Sequence, residues 1–332
     1  MIHILHISQH PGPHFTEILQ RLESEVHNTL WDNQASLEDQ QIIHAHSWLD
    51  DGPVALELSE KLGIPFVIAF TLDEISHIKK LSLTLHPQWV AILKQAAKII
   101  LPHPDFAHQL EQALSDNLAD IIFRKTLTIY QPIDPYFLQH LHLHKPVALV
   151  HTRLLYVAQN PHYKADLEFI LKAVKKIQHQ HLDIQLSVAN VSNDPEVRQT
   201  AAKLNLSVMD AEDIATRAEI YRAHDIVAMT GTHLRSTQYF AEAISQGLPV
   251  IYSKHSCLDG VMPDGGVCML EKEDSSHLSD KIMEISQRFA TIEQHLSSLH
   301  PLNRFNADEI YREYLRIYSI SHSLHNRDSR IQ

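Results

Sequence analysis

Short apolar runs alternate along the chain with longer segments in which apolar residues recur every three or four positions. In the first half, the runs are rich in isoleucine and valine and predict strands. These strands cover residues 2–8, 42–46, 65–70, 98–102 and 126–130, with helical patterns at 14–25, 53–62, 87–96 and 104–116. Strands that alternate with helices indicate βαβ units and a mostly parallel sheet covered on both faces.

The second half repeats this pattern. Strands are predicted at residues 147–151, 184–189, 225–229, 249–253 and 267–270, with helices at 164–179, 194–205, 213–223, 235–246 and 275–298. A polar segment that ends at Pro146 separates the two sets of strands. A last amphipathic segment, residues 306–320, carries Ile310, Tyr314 and Ile317 at helical spacing. The pattern therefore predicts a second sheet followed by a closing helix.

A chain of 332 residues is long enough for two domains of ordinary size. The sequence predicts an α/β protein with two Rossmann-like, doubly wound parallel-sheet domains, residues 1–145 and 146–304. We expect the helix at 305–320 to pack back toward the N-terminal domain. Because ligands bind outside the carboxyl ends of strands in such sheets, we expect a cleft between the domains and a hinge motion around it.

Composition and charge limit which binding partners and which cellular compartment we expect for the protein. The net charge of −12 makes nucleic acid a poor partner. No apolar run is long enough to span a membrane, and the first residues lack the basic segment of a signal peptide. Two cysteines provide no disulfide framework, so we expect a cytoplasmic protein. The basic clusters at 77–80 and 123–125 are interpreted as solvated surface, with peripheral contact at the inner membrane face as the alternative.

Histidine is unusually abundant, with 26 residues, some of them in HAH and HLHLH patches. A metal site needs ligands that meet in a suitable geometry, which the patches alone do not establish. We interpret the abundance as a compositional habit and expect no metal and no cofactor.

Familiar catalytic motifs are absent from the sequence. It has no G-x-G-x-x-G, no Walker A sequence, no G-x-S-x-G and no H-E-x-x-H. What remains is a set of residues suited to a phosphorylated ligand. Arg153 and Lys164 follow the predicted strand 147–151 and are candidate phosphate ligands. Glu242 lies on the helix after strand 225–229, where a carboxylate can accept hydrogen bonds from ribose hydroxyls.

Several segments resemble one enzyme family. FAEAISQGLPVIYSKHSCLDGVMPDGGVCML, residues 240–270, resembles the donor-site segment of retaining GT-B glycosyltransferases, the "group 1" or family 4 class. IIHAHSWLDDGPVALELSEKLGIPFVI, AAKIILPHPDFAHQL, TIYQPIDPYFL and FNADEIYREYLRIY resemble further segments of that class in the same order. The resemblance implies a GT-B fold, with the acceptor on the first domain and a nucleotide diphosphate-sugar, of UDP or GDP, on the second.

The resemblance also implies roles for individual residues. Glu242 matches the second glutamate of the E-x7-E motif, which holds the ribose, and Arg153 and Lys164 match the cation pair that holds the diphosphate. The predicted donor-binding set is Arg153, Lys164, Glu242, Gly231, Thr232, Ser236, Thr237 and Val208. Thr71, Asp73 and Glu74 are the candidates for contact with the reacting sugar. The class needs no metal for this chemistry.

The chain departs from the family pattern at three places. The first position of E-x7-E is Leu234, Thr71 stands where the class often has histidine, and SQHPGPHF lacks the usual Gly-Gly. Two hypotheses follow. One is a retaining, metal-independent glycosyltransferase acting on a glycan, lipid or protein acceptor. The other is an inactive relative that serves as a partner subunit or acceptor-recognition module. A two-domain binding protein or a UDP-sugar epimerase of similar shape is a third interpretation.

Overall fold

The computed structural model divides the chain into two compact units, residues 1–132 with 304–332 and residues 133–303. It describes residues 2–8, 19–23, 25–32, 36–71, 74, 87–114, 116–141, 151–159, 163–180, 182–230, 237–254, 256–261, 267–271, 274–298 and 301–328. No helix in these ranges is long and apolar enough to cross a membrane.

Unit 1, the first of these units, is built on a parallel six-stranded sheet of order β2-β1-β3-β4-β5-β6. Its strands are β1 Ile2–Ile7, β2 Val26–Leu30, β3 Ile42–Ala45, β4 Phe66–Ala69, β5 Lys98–Leu101 and β6 Thr126–Thr128. Its helices are α1 Gly52–Leu62, α2 Pro87–Gln95, α3 Pro104–Ala113, α4 Asp116–Phe123 and α11 Ala307–Asp328. The five strands predicted in this half are confirmed, and β2 is an additional strand.

Alternation along the strands gives the first sheet two apolar faces. Leu5 and Ile43 belong to a core cluster with residues of α1 and α2. Their neighbours Ile4 and Ile42 belong to a second cluster, which includes Ile317 and other residues of α11. Because successive side chains of a strand point to opposite faces, near-continuous apolar strands require cover on both sides. The long C-terminal helix supplies that cover on one face.

Unit 2, the second unit, contains another parallel six-stranded sheet, of order β12-β11-β10-β7-β8-β9. Its strands are β7 His151–Ala158, β8 Asp183–Asn190, β9 Ser207–Asp210, β10 Ile226–Met229, β11 Val250–Ser253 and β12 Val267–Leu270. Its helices are α5 Pro135–Gln139, α6 Tyr163–Gln178, α7 Pro195–Lys203, α8 Ile214–Arg222, α9 Gln238–Ser245 and α10 Ser275–Ser298. The prediction of an α/β protein with two doubly wound parallel sheets is confirmed.

One strand of unit 2 lies elsewhere than predicted. The sequence predicted a strand at 147–151, whereas β7 spans His151–Ala158. Residues 147–150 lie outside the described ranges. The strand pairs over its whole length with β8, from His151 opposite Asp183 to Ala158 opposite Asn190. Its carboxyl end therefore falls at Ala158, and this moves the site described next.

Candidate functional site

The second sheet reverses its strand order between β7 and β10. From β7 the chain proceeds outward to β8 and β9, and then returns to β10 on the other side of β7. In doubly wound sheets such a switch point opens a crevice outside the carboxyl ends of the two strands, and ligands bind there. The residues that directly follow β7 and β10 are Gln159 and Thr230.

Gln159 and Thr230 carry unsatisfied polar atoms at this switch point. Both polar atoms of the Gln159 amide and the Thr230 hydroxyl oxygen are buried without a hydrogen-bond partner among the described residues. A buried polar atom without a partner costs about 1–3 kcal/mol, so such atoms call for an explanation. A bound ligand would supply the missing bonds. The sequence reasoning missed Gln159 because it placed the end of β7 at 151 rather than 158. It missed Thr230 although it placed the end of β10 at 229, as observed.

Lys164 lies in the first turn of α6, the helix that follows β7. Its ammonium group is 3.1 Å from the Glu196 carboxylate, and 60% of the Lys164 side chain is exposed. The hydrogen bond to Glu196 raises the pKa of Lys164. Exposed pairs of this kind contribute little energy and exchange readily, so the ammonium remains accessible to an anionic ligand.

Arg153 is not a neighbour of Lys164, and the prediction that they share one loop is wrong. Arg153 is the third residue of β7, near its amino end. Its guanidinium contacts the Asp225 carboxylate, with Nη2 2.7 Å from Oδ1 and Nε 3.0 Å from Oδ2. Five residues of extended strand, about 16 Å, separate Arg153 from Ala158 at the carboxyl end. Arg153 therefore joins β7 to β10 at the amino ends of these strands, away from the crevice at their carboxyl ends.

Glu242 is fully buried on α9. Its Oε1 accepts hydrogen bonds from Arg217 Nη2 at 3.1 Å and from Gln238 Nε2 at 2.9 Å. Its Oε2 accepts from Arg217 Nε at 2.9 Å and from the Tyr221 hydroxyl at 3.3 Å. Burial raises the pKa of Glu242, and the Arg217 guanidinium acts in the opposite direction. Since a carboxylate accepts about four bonds, the protein itself uses the full capacity of Glu242.

Arg217 extends this network to the loop after β9. Its Nη1 donates to the carbonyl oxygens of Ala211, at 3.2 Å, and Glu212, at 2.6 Å. Val208 lies on β9, just before this loop, and is half-buried. The buried ion pair thus connects α8, α9 and the loop after β9. Arg217 was not predicted, because 25 residues separate it from Glu242 and no sequence spacing relates the two.

The remaining predicted donor residues come shortly before α9 in the sequence. Thr237 is buried and immediately precedes this helix. Gly231, Thr232 and Ser236 lie outside the described residues, as does Leu234.

In unit 1, Glu74 is buried, and its carboxylate joins the loops after β3 and β4. It accepts hydrogen bonds from Ser47 Oγ at 2.9 Å, from the Leu49 amide at 2.7 Å and from the Thr71 amide at 2.7 Å. Burial raises the pKa of Glu74. Thr71 is exposed, and Asp73 lies outside the described residues. Glu74 therefore positions two loops at the carboxyl edge of the first sheet.

Histidines at this same edge were not predicted as site residues. His103 follows β5, and its Nδ1 accepts a hydrogen bond from the Phe106 amide at 3.2 Å. Its Nε2 is buried with no partner in the described part of the chain. Burial lowers the pKa of His103 to about 4. In the described ranges, the group that could hold a metal ion is His6, His44 and His46.

Comparisons with known proteins agree with this architecture. The model of a family described as "Glycosyl transferases group 1" matches residues 151–288, which lie within unit 2. No curated protein matches the chain in sequence.

Solved structures match the chain over nearly its whole length. Alr3699/HepE from Anabaena, in complex with UDP and glucose, has a TM-score of 0.63 at 15% identity, covering 96% of this chain and 100% of that one. A sucrose-phosphate synthase from Thermosynechococcus elongatus has a TM-score of 0.66 at 14% identity, covering 98% and 100%. A glycosyltransferase from Rickettsia africae ESF-5 has a TM-score of 0.63 at 13% identity, covering 96% and 98%. These similarities confirm the predicted GT-B fold.

Proposed function

We propose that the chain is a glycosyltransferase that binds a nucleotide diphosphate-sugar, of UDP or GDP, on unit 2 and transfers the sugar with retention. The observation that carries the proposal is the pair Gln159 and Thr230, whose unsatisfied buried polar atoms lie at the switch point of the second sheet. Both residues lie within the segment that matches the glycosyltransferase family model. Structures of Alr3699/HepE are described in complex with UDP and with UDP-glucose, which supports this choice of donor.

Lys164 is the proposed ligand of the donor diphosphate. Its ammonium is a compact charge in the first turn of a 16-residue helix, and the amino end of a helix also favours anions. Gln159, five residues earlier, can donate two amide hydrogens to the same ligand. Together these groups would stabilise the negative charge that develops on the departing nucleoside diphosphate, without a metal at this position.

The proposed ribose contact of Glu242 needs a rearrangement. Arg217, Gln238 and Tyr221 already donate to its two oxygens. A ribose hydroxyl would have to replace one of the two weaker donors, of which the Tyr221 hydroxyl at 3.3 Å is the more distant. The base would contact the backbone of residues 208–211, which Arg217 holds. Gly231, Thr232, Ser236 and Thr237 remain proposed contacts of the donor.

We propose a glycan, lipid or protein acceptor, with Thr71, Asp73 and Glu74 as candidates for contact with the reacting sugar. Since Glu74 already accepts three hydrogen bonds from Ser47, Leu49 and Thr71, its expected role is to position Thr71. We propose a cytoplasmic location, with contact at the inner membrane face as an alternative.

An inactive partner subunit is the second candidate function, and Leu234 favours it. Leucine replaces the first acid of E-x7-E, and its side chain cannot accept a hydrogen bond from a sugar. One similar structure is described as the GtfA/B complex, with a TM-score of 0.59 at 12% identity, covering 85% of this chain and 57% of that one.

Calorimetric titration with UDP, GDP and their sugars tests the donor site. We expect Lys164→Ala and Gln159→Leu each to weaken nucleotide binding about tenfold or more, because each removes a charged or polar contact to the diphosphate. Lys172→Ala is the matched control, since Lys172 is an exposed lysine two turns further along α6. An unmodified protein that binds no nucleotide, or a Lys164 variant that binds as well as the Lys172 control, refutes the donor site.

Turnover distinguishes the two candidate functions. Slow hydrolysis of a bound sugar nucleotide supports the glycosyltransferase. Binding without hydrolysis, and without transfer to any acceptor tested, supports the inactive partner subunit.

A further inference from the structure

Three histidines meet at the switch point of the first sheet. The order β2-β1-β3-β4-β5-β6 reverses between β1 and β3. His6 near the end of β1 lies opposite His44 on β3 in the strand register, and His46 follows β3 on the same face. One ring nitrogen from each of the three lies within 4.8 Å of the other two. They therefore share the position at which this kind of sheet binds ligands.

Asn28 on β2 fixes the tautomer of His6. The Asn28 amide nitrogen donates to the Leu19 carbonyl at 3.1 Å, which turns the amide oxygen toward His6. His6 Nε2 lies 2.9 Å from that oxygen, so this nitrogen carries the ring proton. His6 Nδ1 consequently carries the lone pair of the ring, and it lies 3.0 Å from His46 Nε2. The amide thus prepares His6 as a ligand, as the outer partners of metal-bound histidines do.

His44 is fully buried and has an unused nitrogen. Its Nδ1 lies 2.8 Å from the hydroxyl of Tyr318 on α11. Its Nε2 is buried without a hydrogen-bond partner among the described residues. With Nδ1 protonated toward Tyr318, Nε2 carries a lone pair to which none of the described residues donates a hydrogen bond. His44 Nε2 is therefore a buried nitrogen that can bind a metal ion, and it lies beside the rings of His6 and His46.

We propose that His6, His44 and His46 bind one transition-metal ion of the zinc class. Three imidazoles without thiolate or carboxylate suit Zn²⁺, Co²⁺, Ni²⁺ or Cu²⁺ rather than Mg²⁺ or Ca²⁺. Asn28 and Tyr318 contact one ring nitrogen of His6 and of His44, respectively, which leaves His6 Nδ1 and His44 Nε2 as the nitrogens that can bind an ion. The neutral ring is the form that binds metal.

The observed spacing is close to what a tetrahedral ion needs. Metal–nitrogen bonds of about 2.0–2.1 Å place neighbouring nitrogens roughly 3.3 Å apart. The His6–His46 pair, at 3.0 Å, is already near that distance, and the limit of 4.8 Å leaves a shift of about 1–1.5 Å for the widest pair. His46 is half-buried at the strand end, which gives the ion a route in. Three protein ligands leave a fourth position for water or a substrate atom.

Cobalt and zinc binding to the full chain tests the site. Protein freed of metal with a chelator should take up one Co²⁺ with visible absorption bands of a tetrahedral nitrogen site, and Zn²⁺ should abolish them. We expect His44→Ala and His46→Ala to remove these bands. Asn28→Leu should weaken binding about 10–100-fold while leaving all three ligands in place. His27→Ala is the control, because His27 is exposed on β2 and is expected to leave binding unchanged.

Two results would overturn the proposal. One is that the unmodified protein shows no tetrahedral Co²⁺ spectrum. The other is that the His44 and His46 variants, shown by circular dichroism to be folded, bind the ion as tightly as the His27 control. His46→Ala keeps the test valid if the fully buried His44 proves necessary for folding. Neither readout depends on nucleotide binding, so these experiments test the metal site independently of the donor site.

Discussion

At the scale of single residues, charged side chains form ion pairs that hold elements together, and the sequence alone does not reveal these pairs. Glu242 was predicted from its place in a motif, but its partner Arg217 lies on a different helix and follows no spacing rule. Arg153 was predicted as a phosphate ligand because the strand before it was placed too early, and it is paired with Asp225 instead. Residue identity predicted which side chains have the chemistry to contact a phosphate or a ribose. Strand ends and tertiary partners, which arise only on folding, decide which of them are available.

Removing the Glu242 carboxylate should destabilise unit 2. Glu242→Ala leaves the Arg217 guanidinium, itself 8% exposed, buried without its anionic partner. Breaking one side of a buried ion pair costs about 3–5 kcal/mol. Urea unfolding followed by circular dichroism measures this loss. Glu219→Ala on α8 removes an exposed carboxylate and should stay within about 0.5 kcal/mol of the unmodified protein. Equal losses in the two variants would contradict a structural role for the buried pair.

At the scale of elements, most central strands were predictable from the sequence, whereas two of the four edge strands were missed. The apolar runs of β1, β3, β4 and β5 are buried on both faces and stand out in the sequence. β2 and β9, with sequences VHNTL and SVMD, each form one edge of their sheet and were missed, whereas β6 and β12 at the other two edges were predicted. An edge strand pairs on one side only and often carries polar residues, so it leaves a weak apolar signal.

The packing of α11 gives a test at this scale. Ile317 is 3% exposed against the first sheet, while Ile320, three residues later, is 40% exposed. Ile317→Ala should lower the free energy of unfolding by about 2–5 kcal/mol, because it removes buried methyl groups and leaves a cavity. Ile320→Ala should cost much less. Thermal or urea unfolding compares them, and a larger loss for the Ile320 variant would argue against this orientation of the helix.

At the scale of the whole molecule, buried neutral histidines are concentrated in unit 1. His6, His44, His46 and His103 all have a lowered pKa because of burial. The unfolded chain takes up these protons below a pKa of about 6.5. Between pH 6.5 and about 4 the unfolded state therefore binds more protons than the folded state, and the stability of unit 1 falls as pH drops through this window.

Acidification should consequently unfold unit 1 in weaker denaturant. Each fully neutral histidine contributes up to about 2 kcal/mol of lost stability at pH 5. The three tryptophans, Trp31, Trp48 and Trp89, all belong to unit 1, so their fluorescence reports on it. His103→Asn keeps a side-chain acceptor at the start of α3 but cannot titrate, and it should reduce the difference in stability between pH 7 and pH 5. The exposed His27, changed to alanine, should leave that difference unchanged. The same dependence in both variants would contradict the assignment to His103.

The order in which the chain is synthesised has a consequence for how it matures. Unit 2 comes from one continuous stretch, residues 133–303, whereas unit 1 needs residues 304–332 to complete it. During synthesis on the ribosome, one apolar face of the first sheet remains uncovered until unit 2 has been made and α11 emerges. The second unit can fold first, although its codons are read later. Nascent chains halted before residue 304 should therefore be the forms that most need a chaperone.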